Sequence, residues 1–134
     1  MTLEELQSEC VYWQELLRLK DVDITVRFAE KMEFDGYGKT SMAPDGTRAM
    51  VRVQANSNVS PDTTARTDEV LTLIHELLHI QQRSIHNCDE YCKLEESNSM
   101  LYNAMEGIIE RNAQALFALK TENDTLKRNA VEQT

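Results

Sequence analysis

The chain has 134 residues, 41% hydrophobic and 28% charged, a balance that suits one globular domain with a single core. Its 23 acidic residues outnumber 14 Lys and Arg for a formal net charge of −9, and without a Lys/Arg cluster this disfavours nucleic acid as a partner. Cys10, Cys88 and Cys92 are too few, and odd in number, for a disulfide framework.

The opening segment MTLEELQSECVYWQELLRLK is charged throughout, so neither a signal peptide nor a membrane span is expected there. A cytoplasmic location follows as an expectation. Leu3, Leu6, Cys10, Trp13, Leu16 and Leu17 recur at helical spacing, which predicts an amphipathic helix over about residues 2 to 19. Val22, Ile24, Val26 and Phe28 then alternate with polar residues, the period of a strand with one buried face. Tyr37 to Met42 and Ala49 to Val53 read as two more strands joined by the turn Pro44-Asp45-Gly46, making a small antiparallel sheet.

Residues 55–67 are rich in Asn, Ser, Thr and Asp and read as a loop. Thr67-Asp68-Glu69 suits a helix N-terminus, and the helix should run to about Ser84. A last helix covers about Leu94 to Lys120, with Leu101, Met105, Ile108, Ile109, Leu116 and Leu119 as apolar contributors. Residues 121–134 read as a polar tail with frayed ends outside a domain of residues 1–120.

The middle helix contains LIHELLHIQQ, where His75, Glu76 and His79 sit among leucines and isoleucines. Burying three polar side chains is costly unless each finds a partner. Two histidines four residues apart lie within ~40° of each other on the helix, so one ion can be gripped by both. Glu76 stands at the edge of that face, placed to reach a metal-activated water without being a ligand. This is the H-E-x-x-H arrangement, and its chemistry is hydrolysis of a peptide bond with Glu76 as general base.

A catalytic zinc usually has three protein ligands, so a third must come from elsewhere. Glu106 and Glu110 in MEGIIERNAQAL are again four apart on one face; one can ligate while the other hydrogen-bonds to a ligand histidine. A rival set, His86, Cys88 and Cys92, has a spacing near but not on a zinc knuckle, and free thiols in a surface turn are the plainer reading. Tyr91, Tyr102 and His86 are each able to donate a hydrogen bond to a developing oxyanion. Tyr102, four residues before Glu106, is the best placed of them.

HELLH on one helix, followed by E-x-x-x-E on another about 30 residues later, resembles the gluzincin branch of the zinc metallopeptidases. The order of helix, strand, hairpin, HELLH helix and EGIIERNAQAL helix is similar to the small single-domain metallopeptidases of phages and prophages, over about residues 10 to 120. Val22 stands where those proteins often have Trp. The resemblance implies an α+β zincin-like domain, its sheet packed on the HExxH helix, the C-terminal helix closing the metal site, and a sheet-edge strand for the substrate, for which Ala49–Val53 is a candidate. It implies Zn2+ held by His75, His79 and Glu106, with Glu110 orienting His75 and a protein or peptide as substrate in the cytoplasm of a bacterial host. The alternative is a zinc-containing binding or regulatory module with weak or no proteolysis. Glu76 argues for the enzyme, because a structural zinc has no use for a carboxylate aimed at water.

Overall fold

A computed structural model describes residues 1–31, 33–34, 36–55, 68–82 and 100–133. The rival ligand set His86, Cys88 and Cys92, together with Tyr91, lies outside the described residues.

Helix α1 spans Leu3–Leu16. The Thr2 hydroxyl accepts from the Glu5 amide, and Glu4 and Glu5 complement the positive end of the helix dipole. Leu6, Cys10 and Trp13 are buried as the periodicity predicts, but Leu3 and Leu16 are exposed. The helix ends short of residue 19 because Arg18 turns into the left-handed region at φ 61°. The Gln14 side-chain amide then donates to the carbonyls of Leu19 and Val22 and ties the turn down.

Three strands follow: β1 (Asp23–Phe28), β2 (Gly38–Met42) and β3 (Arg48–Val53). The order in the sheet is β1-β3-β2. β2 and β3 form the expected antiparallel hairpin across Pro44-Asp45-Gly46, where Asp45 accepts from the Thr47 amide and hydroxyl and Gly46 takes φ 73°. β1, however, pairs with β3 in parallel. The sheet is therefore mixed rather than antiparallel, and β3, the candidate edge, is its centre. Alternation in sequence specifies a strand's buried face but says nothing about its partner.

One physical determinant of the arrangement is Glu33, in the β1–β2 connection. Its carboxylate pairs with Arg27 of β1 and Arg52 of β3, which stand opposite each other in the parallel register. Val26, Ala49, Val51 and Val53 are buried on one face of the sheet, while Asp23, Thr25, Arg48 and Met50 are exposed on the other.

Helix α2 (Glu69–Gln81) is capped by Asp68, whose carboxylate accepts from the amides of Val70 and Leu71. α1 and α2 cover the apolar face of the sheet, and Leu73, Ile74, Leu77 and Ile80 are fully buried there with Leu6, Trp13 and Leu19. Helix α3 (Met100–Glu132) packs on α2. It continues well past Lys120, so the stretch expected to be a tail is helical to Glu132. Only Ile109 and Ala113 are fully buried among the described side chains of α3; Ile108 and Leu119, expected to face inward, are exposed. The result is an α+β fold of three helices and a three-stranded mixed open sheet among the described residues.

Candidate metal centre

α2 lies between the sheet and α3, and the spacing of its residues divides its polar groups between the two neighbours. His75 and His79, one helical turn apart, meet α3. Glu76 is buried against β2.

The two imidazoles bring their Nε2 atoms to 3.2 Å from each other. Glu106 on α3 spans the pair, with Oε2 3.4 Å from His75 Nε2 and Oε1 3.3 Å from His79 Nε2. Ligand atoms of all three residues lie within 4.8 Å of one another, so the group can hold a metal ion. The donor set also has the right size. Tetrahedral bonds of ~2.0–2.1 Å place neighbouring ligand atoms ~3.3 Å apart, close to the separations observed.

Glu110, one turn after Glu106, approaches the other nitrogen of His75: its Oε2 is 2.5 Å from Nδ1. A proton held on Nδ1 by this carboxylate leaves the Nε2 lone pair directed at Glu106 and His79, the tautomer a metal requires. The Gln114 amide donates to the second oxygen of Glu110. Glu106 thus joins His75 and His79 in a group able to hold a metal ion, and Glu110 lies on the opposite nitrogen of His75. Tyr102, the expected donor, is half-buried one turn before Glu106.

Histidine and carboxylates in the cluster shift one another's titration. Burial depresses the His75 imidazole, but the carboxylates of Glu106 and Glu110 outweigh it and raise His75 to about 9. Burial pushes Glu106 upward, yet hydrogen bonds from His75 and His79 bring it down to about 2. A cation is therefore stabilised where the three ligand atoms converge, and a bound metal ion would take the place of the proton.

Glu76 has a different environment. Burial raises its carboxyl above the usual range, partly offset by the Thr40 hydroxyl, which donates to Oε2 at 2.5 Å. Thr40 also reaches the Glu76 carbonyl at 3.3 Å. Beside it, Gly38 brings β2 so close to α2 that an added Cβ would stand 2.6 Å from Thr72 Cγ2 and 3.0 Å from Glu76 Cγ. Thr40 and Gly38 are the residues of the site that sequence reasoning missed. They sit on a strand more than thirty positions away from Glu76, and only the sheet order brings them to it.

β2 borders the candidate site and, among the described residues, is an edge strand of the sheet. Tyr37 and Ala43 bond to Gln54 and Arg48 of the β3 side, so the backbone amides and carbonyls of Gly38, Thr40 and Met42 point away from β3. Compared with protein-family models, curated proteins and solved structures, the chain matches none.

Proposed function

We propose that the chain is a zinc-dependent peptidase in which His75, His79 and Glu106 hold the metal and Glu76 is the general base. The observation that carries this reading is the convergence of two imidazoles and a carboxylate at separations of 3.2 to 3.4 Å, with Glu110 on the far nitrogen of His75. Two nitrogen ligands and one oxygen ligand suit zinc in a catalytic site, where the fourth position is kept for water. When bound, zinc supplies Lewis acidity and brings the pKa of water down to ~7.

The protein's own residues supply the remainder. Thr40 occupies Oε2 of Glu76, leaving Oε1 to accept the proton of the attacking water and return it to the departing amine. The burial that raises the Glu76 carboxyl makes it a stronger base than an exposed carboxylate. An extended peptide pairing with the edge of β2, at Gly38, Thr40 and Met42, would run beside Glu76. The acidic surface favours basic over acidic peptides. No helix among the described residues is long and apolar enough to cross a membrane.

The test is elemental analysis of the purified protein together with cleavage of an unstructured protein such as casein. About one zinc per chain, absent from His75→Ala, and cleavage lost in a Glu76→Gln variant that keeps its zinc, are the expected results. Equal cleavage by Glu76→Gln would remove the general base. Zinc without cleavage would favour the binding or regulatory module.

A further inference from the structure

The second half of α3 extends away from the metal centre and buries almost nothing, yet it has an ordered apolar stripe. Leu116, Leu119, Asn123 and Leu126 recur at spacings of three, four and three, the alternation of a coiled-coil seam with Asn123 at a central position. Leu119 and Leu126 are 63% and 60% exposed. A groove of about 450 Å³ runs along this stripe. α3 contributes to it Leu116, Leu119, Asn123 and Leu126 of the seam and the flanking Lys120 and Glu122, with Tyr12 and Leu16 of α1 forming the opposite wall. The groove and the seam thus coincide, although one is defined by shape and the other by sequence spacing.

We propose that this groove receives the α3 helix of a second copy of the chain, the two helices running parallel so that Leu119, Asn123 and Leu126 each meet their own counterpart. Charge on the flanks selects this occupant and this direction. In a parallel pair the residue before an a position, here Glu122 before Asn123, faces across the interface the residue five further on. Glu122 of one chain therefore meets Lys127 of the other, and two-fold symmetry makes the contact twice. An antiparallel pair would set Glu122 near Glu122 and lysine near lysine. The central asparagine agrees with this choice, since one amide inside an otherwise apolar seam pairs with its twin and favours two strands in a single register. The residue pattern of α3 is thus complementary to itself. The inference is independent of the metal and of the proposed peptidase activity.

The experiment is sedimentation velocity on the full chain from ~1 to ~500 µM. The expected result is a concentration-dependent shift from the 15.4 kDa chain mass toward twice that value. Leu119→Glu with Leu126→Glu should hold the protein at the single-chain mass; both residues are exposed, and circular dichroism checks that the fold is retained. Lys127→Glu should weaken association roughly tenfold, because both symmetry-related attractions become repulsions. Adding Glu122→Lys to that variant should restore it. A single-chain mass at every concentration would overturn the proposal and leave the groove to a helix of another protein. A dimer indifferent to the leucine changes would also overturn it, and so would a charge swap that fails to restore association.

Discussion

The Thr40 hydroxyl donates to Oε2 of Glu76 and so joins the edge strand to the middle of the histidine helix. In the proposed mechanism this bond fixes which carboxylate oxygen is free. Thr40→Val keeps the shape and removes the donor. The expected outcome is full zinc content, an unchanged fold and a kcat lowered by on the order of tenfold, as for loss of a group that positions a catalytic base. Steady-state kinetics with elemental analysis on the same sample checks it; an unchanged kcat would show that the bond does not position Glu76.

Gly38→Ala should destabilise the fold by about 1–3 kcal/mol, the usual cost of overpacking, because the new methyl meets Thr72 Cγ2 at 2.6 Å. The double variant with Thr72→Ser removes that methyl while keeping the hydroxyl bond to the Asp68 carbonyl. Urea denaturation should show part of the stability recovered. If the second change adds only its own loss, the close approach of β2 to α2 is not the cause.

The two carboxylates of α3 should separate by function. Glu106→Ala removes a carboxylate whose two oxygens lie 3.4 Å from His75 Nε2 and 3.3 Å from His79 Nε2, and should abolish stable metal binding. Glu110→Ala removes only the partner of His75 Nδ1 and should weaken affinity by roughly 10- to 100-fold. Competition for zinc against a chromogenic chelator distinguishes them, and the reverse order would exchange their roles.

The Glu33 cluster predicts a pH dependence remote from the candidate metal centre. Hydrogen bonds from Arg27, Arg52 and the Glu30 amide lower the Glu33 carboxyl to about 2. A carboxylate depressed in the folded state contributes stability above its unfolded value of ~4.3 and loses it as pH falls toward the folded one. Glu33→Gln should therefore be less stable than the parent above pH ~5, with the gap closing toward pH ~2. Urea unfolding of both proteins across that range measures it; a gap independent of pH would mean that Glu33 acts by packing.

How much of this was legible beforehand depended on whether the signal was local. The His75–His79 pair and the Glu106–Glu110 pair are each one helical turn apart, so spacing alone placed each pair on one face. Asp68 and the Pro44-Asp45-Gly46 turn work through neighbours in sequence and were equally visible. What escaped depends on contacts between distant segments. The parallel pairing of β1 with β3 leaves the alternation of Val22 to Phe28 unchanged, and nothing near Gly38 reveals the side chains of Thr72 and Glu76 that exclude a Cβ. The extent of α3 escaped for another reason. TENDTLKRNAVE is polar, but it contains neither Gly nor Pro to stop a helix already under way.

α3 is anchored by few fully buried side chains, Ile109 and Ala113 among those described, while Glu106 and Glu110 tie it to His75 and His79. An ion bound there would act as a clasp between two layers of the domain, as well as a reagent. Stripping it should accelerate amide hydrogen exchange along α3 while the β1–β3 ladder stays protected, with the charged His75 and its two carboxylates retaining part of the grip. The local opening energy of that helix would then depend on metal supply, so a cell short of the ion would make a protein already loosened at the segment that carries Glu106.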